Sequence, residues 1–373
     1  MEYTTYGKTG ERVSVLGMGG MRWTKEMSDE EAVGAIHRAN ELGVTYFDTA
    51  PGYCDDRSET ILGKALADMP TDEWLVATKG PNGLTASEVR EKIETSLKRL
   101  GVDAIDFYFL WCIITMEQYE KALQPGACFE GIQKAYDEGL IRHVGISSHM
   151  ESTGLKRVVD DGLFEFLMVP YNAVNFGQRE DGVRYAKEHG MGVAAMNPLH
   201  GGIIAQYKDK LSIFQGSERN GVEEGLRFVI ESPYVDIALS GMNSVAQVEE
   251  NVGYANHYAP LGAEAFQSRV EELRSRFDAM CTSCAYCVPG CSENIFIPAY
   301  MEVYNHYLLT GDIEETKGRL SWHKRFGLLR EREEHTSSCI ECGNCEETCT
   351  QYLDIMTRLK WLDEHVESQL QES

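Results

Sequence analysis

Eight short apolar runs, separated by amphipathic helical patterns, fill the first 260 or so residues. They are VSVLGMGG (13–20), VTYFDTA (44–50), EWLVATKG (73–80), IDFYFLW (105–111), RHVGISSH (142–149), FEFLMVPYN (164–172), MGVAAMNP (191–198) and VDIALSGM (235–242). Their apolar residues fall on consecutive positions, as in strands buried on both faces. Between them, SDEEAVGAIHRANELG (28–43) starts at an N-capping Ser28 with Glu31 three residues on and stops at Gly43. TASEVREKIETSLKRLG (85–101) repeats that plan and SETILGKALADMP (58–70) ends at a proline. Strand and helix alternating eight times specify an α/β chain folded as a (β/α)₈ TIM barrel. A doubly wound sheet carries GxGxxG after its first strand; this chain has GMGGMRW there. Beyond residue 262 the alternation stops, and IPAYMEVYNHYLLTGD and GRLSWHKRFGLLREREE both read as helical. The expected organisation is a barrel over 1–262 and a mostly helical, ferredoxin-like domain over 263–373.

Charge narrows the function. The 373 residues carry a net charge of −24, with a pI near 4.8. That balance argues against binding nucleic-acid phosphates or an anionic membrane. No run approaches the ~18 apolar residues of a membrane span. The N-terminus lacks a basic stretch followed by an apolar core, so a cytoplasmic location is expected. In that setting eleven cysteines point to metal ligation rather than disulfides.

Eight of the eleven form two identical motifs. Cys281, Cys284, Cys287 and Cys291 follow C-x₂-C-x₂-C-x₃-C, and Cys339, Cys342, Cys345 and Cys349 repeat it. This is the ligand spacing of two-cluster bacterial ferredoxins, in which the fourth cysteine crosses to the other cluster. Two 4Fe–4S clusters are therefore expected, one on Cys281, Cys284, Cys287 and Cys349 and the other on Cys339, Cys342, Cys345 and Cys291. A pair of four-cysteine zinc sites is the competing reading, although zinc sites usually separate two C-x₂-C pairs by a longer gap. The proline that usually follows the fourth cysteine is Ser292 in one motif and Thr350 in the other.

A second site is written into the strand ends. FDTAPGY places Asp48 at the end of the second barrel strand with Tyr53 just beyond, and ATKG ends the third strand at Lys79. All three belong at the C-terminal rim, where barrel enzymes carry their chemistry. Together with YGKTGERVSVLGMGG, FDTAPGYCDDRSETILGKAL, IRHVGISSH and SGMNSVAQVEEN, these residues resemble the aldo/keto reductase family over roughly residues 3–256. The cysteine motifs resemble its subfamily with a C-terminal 4Fe–4S domain.

The resemblance implies hydride exchange between NADPH or NADH and a small carbonyl or alcohol substrate. It makes Tyr53 the general acid, Lys79 the cation that lowers the phenol's pKa and Asp48 the partner of that lysine. The family's histidine at the end of the fourth barrel strand is Trp111 here, whose indole N–H donates but cannot relay a proton. His149 and His200, on neighbouring rims, are candidates to compensate. By the same resemblance Ser147 and Ser148 meet the nicotinamide carboxamide with the cofactor-binding Asn172 nearby, while a usual glutamine is Met168. Ser240, Gly241, Met242 and Asn243 cradle the pyrophosphate through backbone N–H groups, and Glu250 and Asn251 meet the adenine. The basic pair that grips a 2′-phosphate is missing from MNSVAQV (242–248), which leaves NADPH and NADH both open. Expected partners are a small-molecule substrate and an electron-transfer protein, with no nucleic acid and no membrane. Trp111 also leaves room for a lyase, an isomerase or an electron-transfer module on the same scaffold.

Overall fold

The computed structural model describes residues 1–23, 27–211, 214, 216–275, 280–281, 285–330, 332–349 and 352–371. Strands β1 (Tyr3–Thr5) and β2 (Arg12–Ser14) form an antiparallel hairpin. Eight parallel strands then close a barrel: β3 (Leu16–Gly19), β4 (Tyr46–Asp48), β5 (Leu75–Pro81), β6 (Ile105–Ile113), β7 (Ile141–Ser148), β8 (Phe166–Pro170), β9 (Gly192–Met196) and β10 (Ile237–Ser240), with β10 pairing β3. Each matches one apolar run. The hairpin was not anticipated, because run 13–20 splits between β2 and β3.

Local signals set the helices. Ser28 and Thr85 each form a full capping box, with Glu31 and Glu88 respectively, satisfying N–H groups that a helix start leaves open. Gly101 ends its helix in the left-handed conformation. Inside the barrel, Tyr6, Tyr46, Phe107, Phe109 and Phe166 stack as a closed aromatic core. Tyr6, just beyond β1, lies where a Cβ on Gly192 would sit only 2.5 Å from its ring, so a glycine there lets the hairpin seal the barrel floor. The interior is thus filled from below, and only its top offers room for chemistry.

The helix Ala263–Ser275 buries Phe266, Val270 and Leu273 in the barrel's core. One expectation changes. The expected helix GRLSWHKRFGLLREREE stops at Phe326: the chain leaves it at Gly327, whose backbone fits against His323 where a Cβ would clash at 2.8 Å. A separate core surrounds the cysteines, built on Ile295, Ile297, Met301, Leu353, Ile355 and Leu359.

Candidate active site and cluster sites

Lys79 and Asp48 are almost wholly buried, and Lys79 Nζ lies 2.5 Å from Asp48 Oδ1 and 2.8 Å from the Thr49 carbonyl. The ammonium sits 5.3 Å from the centre of the Tyr53 ring. Trp111 meets that ring edge to face, with centroids 5.7 Å apart. The four residues expected at the rim of β4–β6 therefore come together.

The electrostatics differ from expectation in one respect. Burial pushes the Tyr53 phenol above its ordinary value, and Asp48 pushes it further. Burial also draws Lys79 down and Asp48 up, each against the pull of its partner. The reason is that Asp48 neutralises Lys79 at contact distance, so the phenol sees a near-neutral pair rather than a free cation. In this geometry Tyr53 is held as the neutral phenol.

A strained strand end aims Trp111. The β6–β7 register shifts between Leu110 and Ile113, and Cys112 takes a left-handed φ of 62°. A bulge of this kind redirects side chains beside active sites. Asn82 secures it, donating to the carbonyls of Trp111 and Cys112 at 3.0 Å each. Sequence reading missed Asn82 and Cys112, since neither carries a pattern.

Residues assigned to the nucleotide by resemblance are distributed around the same rim. Ser147, Ser148 and Asn172 are buried. Ser148 Oγ accepts from Met150 N. Asn172 Nδ2 donates to the Asn197 carbonyl and to His200 Nδ1, while its Oδ1 accepts from the N–H groups of Val174 and Asn175. Ser240 Oγ accepts from Asn251 Nδ2, and Glu250 accepts from Tyr254. Met242 is buried, Gly241 is exposed, and Asn243 N–H donates to Gln247. A Cβ on Gly241 would meet the Arg22 side chain at 2.5 Å. Arg22 therefore lies over the cradle at 240–243, beside the N-terminus of the helix Val245–Ala255. It is the aliphatic stem of Arg22 that meets the cradle, and a guanidinium carried on such a stem is the kind of group that grips a pyrophosphate. Sequence reading missed it because its proximity comes from β3 pairing β10.

The helical domain covers this rim. Glu302, on the helix Ile297–Thr310, is 3 % exposed. It accepts from His200 Nε2 at 3.1 Å, from His323 Nε2 at 2.5 Å and from a two-pronged Arg319. Because Asn172 donates to Nδ1 of His200, Nε2 is the protonated nitrogen facing Glu302. These partners hold the Glu302 carboxyl well below its usual range, despite burial. Trp322 packs edge-on against His149, at 5.9 Å between centroids. His149 is drawn down to about 3, chiefly by burial and then by the charge of Arg179. His149 and His200 are thus engaged at the contact with the helical domain.

The described parts of both cysteine motifs fold alike. At the constant offset from Cys281 to Cys339, Ala285 matches Gly343 and Asn294 matches Tyr352, all with positive φ. Hydrogen bonds repeat as well: Asn294 N to Cys291 O and Tyr352 N to Cys349 O are each 3.1 Å, and Ile297 N to Ile295 O and Ile355 N to Leu353 O are each 2.8 Å. One void is lined by Cys291, Cys339, Cys342 and Cys345, another by Cys281, Cys287 and Cys349. Cys284 and Thr350 lie outside the described residues, and Ser292 bonds Glu293. This grouping has the crossover that the spacing implies. Among the described residues no three His, Cys, Asp or Glu side chains converge as on a single ion. Thiols spread around a shared void fit a cubane better than one tetrahedral zinc.

The aldo/keto reductase family matches residues 15–273. The chain belongs to that family. A 4Fe-4S dicluster domain matches residues 280–354, so this oxidoreductase carries an iron–sulfur domain behind its barrel. Among curated relatives, L-galactose dehydrogenase of Arabidopsis thaliana is 27% identical over 71% of this chain and 91% of its own. D-threo-aldose 1-dehydrogenase of a Pseudomonas species is 25% identical over 66% and 90%. The holo form of the aldo-keto reductase AKR11C1 from Bacillus halodurans superposes with a TM-score of 0.63 at 25% identity, covering 73% of this chain and 96% of that one. Among the described residues no helix is long and apolar enough to cross a membrane.

Proposed function

We propose that this reductase moves hydride between a nicotinamide dinucleotide and a small carbonyl or alcohol, with Tyr53 as the proton donor and acceptor. The observation that carries the reading is the buried Lys79–Asp48 pair directly beside the Tyr53 ring. The dinucleotide, when bound, supplies or accepts the hydride. The chain's own residues do the rest. Tyr53, held neutral, hydrogen-bonds the substrate oxygen and gives up its proton as alkoxide charge develops, because an alkoxide is far more basic than a phenolate. The phenolate so formed lies beside Lys79 Nζ, whose charge gains value as that of Tyr53 appears. Trp111 walls the site and excludes water.

The dinucleotide would lie across the rim, with Arg22 and the 240–243 backbone at its phosphates. Two relatives named as sugar dehydrogenases support a small polar substrate. Tryptophan fluorescence of the anaerobic protein tests the reading: NADH or NADPH should quench it saturably, and Arg22→Ala should weaken that binding about tenfold. Absence of quenching by either nucleotide, with no carbonyl reduced, would remove the reading.

The cysteines would hold two 4Fe–4S clusters, one per void, which supply one-electron exchange when present. Exposed Cys342 beside exposed Ile340 offers the edge for an electron-transfer protein. Cys342→Ser should reduce iron from about eight to about four atoms per chain while the other cluster remains. An unchanged iron content, or zinc in its place, would contradict this assignment.

A further inference from the structure

A cavity of about 580 Å³ lies where the barrel's β6 and β7 loops meet Gly327, Leu328, Arg330, Arg332 and Glu334 of the helical domain. Its size and its position between domains are those of a small-molecule site. Apolar walls come from Ile114, Met150 and Leu328, and charge comes from Arg157, Arg330 and Arg332, with Glu151 and Glu334 also on the lining.

Two of these guanidiniums have no carboxylate partner among the described residues. Arg330 donates to the Arg325 carbonyl at 3.0 Å. Arg332 donates to the Leu328 carbonyl at 3.1 Å and lies over the Phe296 ring. That is unexpected in a chain with 59 acidic and 35 basic side chains, where carboxylates are plentiful. Arg157 pairs with Asp161 at 3.3 Å. Behind the wall, Arg179 is 4 % exposed and donates only to the Met150 and His149 carbonyls and the Gln178 side chain. Three guanidiniums thus stand against Glu151 and Glu334 on the lining, a positive balance in a strongly negative molecule.

The cavity adjoins the reacting centre. Ile114 continues β6 from Trp111, which touches Tyr53. The charge of Arg330 also reaches the Cys112 thiol, opposing the upward push of burial.

We propose that this cavity receives the anionic group of the substrate, so that the enzyme acts on a carbonyl compound or alcohol bearing a carboxylate or phosphate a few bonds away. A planar guanidinium pair grips either group through two parallel hydrogen bonds. The substrate half of this inference rests on the hydride-transfer reading; the anion site does not.

Two measurements separate them. In the first, the holoenzyme is assayed with succinic semialdehyde against butanal, and with glyceraldehyde 3-phosphate against glyceraldehyde. The charged member of at least one pair should be preferred. Arg330→Gln and Arg332→Gln, both at exposed side chains, should raise its KM about 10- to 100-fold, with kcat and the neutral substrate little changed. The pair that responds tells carboxylate from phosphate. In the second, glutarate and inorganic phosphate are added without nucleotide and melting is followed. The responding anion should stabilise the wild type and not the double variant. Equal losses on charged and neutral substrates, or equal stabilisation of wild type and double variant, would overturn the proposal. Stabilisation of wild type alone, with no carbonyl reduced, would leave the anion site standing and remove the hydride reading.

Discussion

Tyr53→Phe lowers kcat for carbonyl reduction by about 10²–10⁴-fold, the range for loss of a positioned general acid, while iron content and nucleotide binding stay at wild-type levels. The substitution removes only the hydroxyl. The ring that meets Trp111 and lies beside Lys79 is kept, so packing is not the cause of the loss. A pH profile adds a second check. Burial and Asp48 hold the phenol above its ordinary value of 10.0, so the proton is present throughout the neutral range. Reduction by the wild type should therefore stay flat through pH 9 and decline only beyond the ordinary phenol value. A free lysine lowering the phenol would instead give an alkaline decline well before pH 9. Steady-state kinetics of Tyr53→Phe at wild-type rates would sink the assignment of the acid.

What the chain's residues disclose beforehand follows from how far each signal reaches. The strands are legible because parallel strands buried on both faces need unbroken apolar runs, and the helices because Ser28, Thr85 and Gly101 act within a turn of where they stand. The triad of Tyr53, Lys79 and Asp48 is legible because adjacent parallel strands place their C-terminal ends side by side. Within each cysteine motif the spacing likewise fixes which thiols can reach one centre. Contacts between distant segments are not. Arg22 over Gly241 depends on barrel closure. The bulge at Cys112 depends on Asn82, from another strand's loop. His200 reads as an idle rim histidine until the helical domain brings Glu302 to it. The direction of the Tyr53 shift was misread because a lysine's charge counts for little once its own carboxylate is in contact.

The second large effect concerns that domain contact. Glu302→Gln should destabilise the docking of the helical domain by about 3–5 kcal/mol, the usual cost of stripping one partner from a buried ionic set. Gln keeps the shape but leaves the Arg319 guanidinium without its counter-charge and offers the ring nitrogens of His200 and His323 a weaker acceptor. Acid should act in the same direction on the wild type. Glu302 is held below its ordinary 4.5, so its contribution is complete above that value and is lost as pH falls through the depressed one. His323 and His149 are held below their ordinary 6.5. The unfolded or undocked forms of these histidines therefore bind protons first, and stability declines as pH drops below about 6.5. All three slopes agree, and His306, also drawn down by burial, adds to them. The guanidiniums of Arg179 and Arg319 oppose protonation of His149 and His323.

A global melt alone cannot separate this contact from acid loss of iron, so a double-mutant cycle is the decisive form of the experiment. Glu302→Gln, His200→Gln and the pair are compared at pH 7, with hydrogen exchange at the Asn172–Phe176 turn as the local readout. His200 joins Glu302 to Asn172, and Asn172 in turn holds the N–H groups of Val174 and Asn175. Coupling of about 0.5–3 kcal/mol between the two sites is expected, with faster exchange at that turn in either single variant. Strictly additive effects, or unchanged exchange there, would mean that the helical domain rests on the barrel without bracing its rim.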